Sequence, residues 1–94
     1  PNLSELFMLR IGQNVKEQLQ NDLQLEYEAV PRLNRAINAA VAAADNGSRD
    51  LFEKILKDEE HHVDFLEAQL QVIQDIGLEN YLTQQIHGDE GKSH

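Results

Sequence analysis

Glu59 and His62 stand three positions apart, just under one turn of an α-helix. At that spacing a carboxylate oxygen and an imidazole nitrogen rise from neighbouring positions on one helix face, and both can reach a single ion. Glu26, earlier in the chain, offers a further carboxylate. Mixed carboxylate and imidazole donors suit iron or manganese, and zinc can substitute for either. A bare Glu-x-x-His occurs by chance on many helices, so its weight depends on what surrounds it. Asp58 and His61 repeat the same spacing one residue earlier and form a competing register.

Helices must position these groups. A helical pattern runs from about Asn14 to Ala44, with Asn14 as an N-cap and Glu17 completing a capping-box signature. Asp45, Asn46 and Gly47 break the pattern. Ser48 then caps a second helix reaching about Ile76, with Asp50 and Glu53 near its positive end. Gly77 suits the C′ position, and Leu78 to Ile86 form one short further helix. Residues 1–13 read as an apolar, partly extended lead-in, 14–86 as the helical hairpin with its short C-terminal helix, and 87–94 as a disordered polar tail. His87 and His94 belong to that tail and carry no assigned role. Pro31, well inside the first helix, removes a backbone donor and crowds the carbonyl of Tyr27, which predicts a local bend.

Helical phase separates the two registers. Each residue turns about 100° around the axis. Phe52, Ile55, Leu56, Val63, Leu66, Leu70 and Ile73 share one face of the second helix, and Glu59 and His62 lie on it. Val15, Leu19, Leu23, Ala29, Val30, Leu33, Ile37, Ala40 and Val41 share a face of the first, with Glu26 near its centre and Asp22 one turn before. His61 points away from the apolar stripe, and Asp58 lies at its edge. An unpaired ionised carboxylate in a core costs several kcal/mol. Lys16, Arg32, Arg35, Lys54 and Lys57 project elsewhere, and His62 can satisfy Glu59 but not Glu26 as well. A metal ion compensates all three groups; a buried polar network is the competing account. Asp58 and Asp22 are cast as acceptors behind the ligands, holding a histidine in one tautomer.

Composition bounds the rest. The 94 residues make one small domain, and with no cysteine a metal or a partner chain is the available staple. Eight Lys and Arg against 17 Asp and Glu give a formal charge of -9, which repels nucleic acid and anionic membranes. No signal peptide or membrane span is visible. Pro1 in place of Met leaves processing, cleavage or a longer parent open.

Di-metal carboxylate bundles take one Glu from each of two helices and one Glu-x-x-His from each of the other two. This chain carries half of that set. A lone hairpin also leaves its apolar faces exposed. Packing and chemistry therefore both ask for a second hairpin, from another copy or from a different chain.

The stretch Ser48 to Asp64, its continuation Leu66-Glu67 and Gln69-Leu70, and Ile76 to Leu82 resemble the fourth helix of bacterioferritin and the segment after it. Asp22-Leu23-Gln24-Leu25-Glu26 resembles the family's third helix, and Pro1-Asn2-Leu3 the loop before it. The resemblance covers Pro1 to about Ile86 and corresponds to the family's C-terminal half. It implies an all-α fold: a long antiparallel helical hairpin plus a short C-terminal helix, half of a ferritin-like four-helix bundle completed by a second chain. By the same resemblance Glu26 is a terminal carboxylate ligand, Glu59 a bridging ligand and His62 a terminal ligand of a di-iron ferroxidase centre. It implies oxidation of Fe(II) by oxygen or peroxide, storage of the ferric product in a cage of many subunits, and a cytoplasmic location. The family's haem-ligating Met lies outside the matching half, and Met8 fits no haem motif, so haem is not expected. The alternative is a structural or assembly fragment with little metal binding or catalysis.

Overall fold

The computed structural model describes residues 2–92. Among them the chain forms α1 (Leu3–Ala42), α2 (Asn46–Ile76) and α3 (Leu78–Lys92), with no strand. The all-α reading therefore holds. No helix is long and apolar enough to cross a membrane among the described residues.

The helix boundaries correct several expectations. Residues expected as a lead-in are the first turns of α1. The capping box sits at Asn2, not Asn14: the Glu5 amide donates to Asn2 Oδ1 at 2.8 Å, and the Asn2 amide donates to Glu5 Oε2 at 3.3 Å. Asn2-x-x-Glu5 and Asn14-x-x-Glu17 carry the same signature. Once the upstream box nucleates a helix, each further residue adds a hydrogen bond at little cost, and the downstream box is absorbed into the interior.

The turn between α1 and α2 is tighter than the Asp45-Asn46-Gly47 break suggests. Ala44 adopts a left-handed conformation with φ 53°. The Asp45 amide donates to the Ala40 carbonyl at 2.9 Å, and the Ala44 amide donates to the Val41 carbonyl at 3.1 Å. This is a Schellman cap built without glycine. Asp45, not Ser48, then caps α2. Its Oδ1 accepts from the Ser48 amide at 3.1 Å and its Oδ2 from the Ser48 hydroxyl at 2.6 Å. Those two bonds hold the Asp45 carboxyl below the usual carboxylate range. With the start at Asn46, Asp50 and Glu53 fall beyond the first turn and pair along the helix with Lys54 and Arg49.

Two compact units build the chain. In the unit from Asn21 to Glu67, the later part of α1 and the earlier part of α2 run antiparallel on either side of the turn, with Ala40 and Leu66 buried. α1 continues through Pro31 without ending. The apolar stripes are mostly half-buried, but Val41 and Ile55 remain 53% and 37% exposed.

The second unit joins the start of α1, up to Gln20, with the end of α2 and α3. Gly77, with φ 85°, ends α2, and its amide donates to the Ile73 carbonyl at 2.8 Å. That is the C′ role the sequence predicts for it. α3 extends past the expected Ile86 to Lys92, so the expected tail is helical over its described part. Ser93 and His94 lie outside the described residues. Tyr81 and Leu82 bury α3, and the Tyr81 hydroxyl donates to Gln69 Oε1 at 2.6 Å. Burial raises the Tyr81 hydroxyl above the ordinary phenol range.

Gly12 makes this docking possible. A Cβ at position 12 would stand 2.9 Å from Leu78 Cβ and 3.4 Å from Leu82 Cδ1. Leu78 Cβ is fixed to the backbone and cannot rotate aside. Gly12→Ala gains up to about 1 kcal/mol of helix propensity but incurs overpacking of about 1–3 kcal/mol. The expected net result is a lower melting temperature with faster amide exchange along α3. Unchanged α3 exchange would show that the helix tolerates the extra methyl.

Candidate metal centre

Glu26 reaches the site from α1, and Glu59 and His62 from α2, all within the Asn21–Glu67 unit. The pairing across the hairpin follows from the short turn, which fixes how residues of the two helices face one another. One ligand-type atom from each of the three side chains lies within 4.8 Å of the other two. With bonds of about 2.0–2.2 Å, two ligands of one ion stand at most about 4.4 Å apart. Small rotations therefore bring the three groups onto one ion.

His62 Nδ1 stands 3.3 Å from Glu26 Oε1. The contact is an ion pair only while the imidazole is protonated; a neutral imidazole is free to bind metal. Glu26 Oε2 is buried and has no hydrogen-bond partner. A buried acceptor left unsatisfied costs about 1–3 kcal/mol, more when charged. The Glu26 side chain is 17% exposed and that of His62 is 50% exposed, while Glu59 is half-buried. The site thus has a closed side, where Glu26 is held, and an open side towards His62. Two carboxylates with a neutral imidazole leave net negative charge at a partly desolvated place, and a cation answers it.

The sequence-based expectations divide on this geometry. Glu26, Glu59 and His62 come together. Asp22 is half-buried and Asp58 exposed, and neither belongs to that group. His61 is exposed, as its phase predicts. Lys16, Arg32, Arg35, Lys54 and Lys57 are all exposed. Tyr27, on α1, was marked by no spacing rule. Desolvation, then the charge of the Glu67 carboxylate, holds its hydroxyl above the ordinary phenol range.

Comparison with known proteins covers the same ground. The family profile described as a ferritin-like domain matches residues 1–76. A bacterioferritin of Streptomyces coelicolor is 47% identical over 83 residues, 88% of this chain and 50% of that protein. A bacterioferritin of Mycobacterium avium is 45% identical over 84 residues, 89% of this chain and 53% of that protein. A bacterial ferritin of Synechocystis is 46% identical over 87 residues, 92% of this chain and 56% of that protein. The chain spans about half the length of the curated relatives it matches.

Proposed function

The chain belongs to the ferritin-like family, and on that premise we propose that it supplies Glu26, Glu59 and His62 as half of a di-iron site that oxidises Fe(II) to Fe(III), for iron storage or detoxification in the cytoplasm. The observation that carries this reading is the buried, unpartnered Oε2 of Glu26 in a side chain grouped with Glu59 and His62. An oxygen held out of water without a donor is in place for a cation.

Fe(II) is the substrate. A pair of Fe(II) ions gives up a pair of electrons, which reduce peroxide to water with uptake of protons; oxygen is the other oxidant of the same class. The protein holds and spaces the ions, and leaves positions open for the oxidant. Zinc or manganese would occupy the same donors without supporting the turnover. Haem has no ligand among the residues assigned here. Asp22 and Asp58 remain candidates for acceptors behind the ligands.

Half a ligand set requires a second half. A second copy of this chain, joined by a two-fold axis, would bring another Glu26, Glu59 and His62. The exposed side of His62 and the exposed apolar residues Val41, Leu51, Ile55 and Phe65 support such a covering. A different chain carrying the other two helices would serve equally, and native mass separates the two. The second reading, an assembly fragment that packs helices and binds little metal, draws on the half-length match. Metal analysis of protein purified without chelator decides between them. The expected result is about one iron per chain in a dimer, by the two-metal arithmetic of such bundles. Absence of bound metal after anaerobic addition of Fe(II) would leave the packing fragment standing.

A further inference from the structure

Leu51, Ile55, Asp58, His62 and Phe65 follow one another along α2 at steps of 4, 3, 4 and 3 residues. That is the heptad spacing of a seam between two helices. The seam lies about a quarter-turn round α2 from the half-buried Leu56, Glu59 and Val63. Leu51 is 54% exposed, Ile55 37% and Phe65 57%, and the His62 side chain is 50% exposed. All belong to the Asn21–Glu67 unit. The seam is thus uncovered in a single hairpin, and it runs through the open side of the metal centre.

A two-fold axis perpendicular to the helices lays α2 antiparallel on its own copy. The seam meshes with its reversed copy in a few registers, and the residues distinguish them. Centred between Ile55 and Asp58, the pair sets Leu51 against His62 of the second copy and Ile55 against Asp58 of the second copy. Centred between His62 and Phe65, it sets Phe65 against His62 of the second copy. Both bury polar groups against apolar ones, which costs free energy. Centred between Asp58 and His62, the pair sets Ile55 against Phe65 of the second copy and leaves Asp58 opposite His62 of the second copy, carboxylate with imidazole. This register keeps apolar with apolar. It also centres on position 60, between Glu59 and His62, so packing and the metal ligands choose the same register.

We propose that a second copy of this chain covers the α2 seam antiparallel, with Ile55 of each copy against Phe65 of the other. The inference rests on the reading of a second copy as the half that completes the metal site. It adds the face that the second copy covers and the register in which it lies.

The chain has no cysteine, so introduced ones report the register directly. Ile55→Cys and Phe65→Cys are made as separate full-length variants. In the proposed register each new cysteine lies about 15 Å along the axis from its equivalent in the second copy. A disulfide spans at most about 7 Å between Cα atoms. Oxidation of either variant alone is therefore expected to give no covalent dimer, and oxidation of the two variants co-produced in one cell to give the mixed covalent dimer. Native mass and circular dichroism with Zn(II) present establish beforehand that each sample is dimeric and helical. Phe65→Ala is expected to raise the dimer dissociation constant about tenfold or more at unchanged helicity. Glu60→Ala, on the opposite side of α2, should leave that constant unchanged. If the parent is dimeric but either cysteine variant cross-links to itself, the mixture does not cross-link, or Phe65→Ala dimerises as well as the parent, the register is wrong and the second copy lies elsewhere. If the parent is monomeric with and without Zn(II), the reading of a second copy falls and the seam with it.

Discussion

Replacing Glu26 and His62 together with alanine is expected to reduce Fe(II) oxidation to the rate seen in buffer alone. The two side chains face each other at 3.3 Å from different helices, so their loss removes the donors that join α1 to α2 through a metal. Glu59 would remain as one half-buried carboxylate on one helix, too few donors to hold iron in a defined geometry. Stability should move the other way. Without metal, the double variant is expected to be as stable as the parent or more so. Removing the unpartnered Oε2 relieves a burial cost of about 1–3 kcal/mol, against which stands a loss of packing. His61→Ala is the matched control. It removes the histidine of the competing Asp58-x-x-His61 register from an exposed position, and should leave the oxidation rate unchanged. Oxygen-uptake assays with thermal melts on the same samples read both quantities. Full oxidation by the double variant would move the chemistry away from these residues; a large loss of stability without metal would recast Glu26 and His62 as a structural pair.

These expectations were partly readable from the chain alone because the features behind them are local. Helical phase places Glu26, Glu59 and His62 on apolar stripes, and a hairpin with a short turn then brings the stripes together. Gly77 was legible for the same reason: a left-handed C′ residue after an apolar run is a matter of its own backbone. The helix starts were not. Asn2 and Asn14 each precede a Glu by three residues, and the choice between two identical signatures depends on whether the helix is favourable upstream. Part of the answer lies far along the chain, at Leu78 and Leu82, which Gly12 admits to close contact. At the turn, Asp45 and Ser48 both have capping side chains, and they use them on each other. Which of the two is the cap depends on Ala44 taking a left-handed conformation that glycine normally takes.

Binding of metal is expected to raise the melting temperature strongly, and this effect carries the proposal's link between chemistry and packing. Ligands that favour the folded state stabilise it by mass action, by about 2.7 kcal/mol when free metal exceeds its dissociation constant a hundredfold. For a chain of this size that corresponds to a rise of roughly 10–20 °C. The gain is available because the apo site is unfavourable: Glu26 and Glu59 stand close together, and one buried oxygen has no donor. Zn(II), which does not change oxidation state, separates binding from turnover in this test. Melts with and without Zn(II) should differ in the parent and coincide in the Glu26→Ala, His62→Ala double variant. If a second copy completes the site, the apo transition should also rise with protein concentration, and the metal-bound one more steeply, because dimer and metal site form together. A Zn(II) effect independent of protein concentration would instead mean that one hairpin holds its metal unaided, with the apolar residues Val41, Leu51, Ile55 and Phe65 still uncovered.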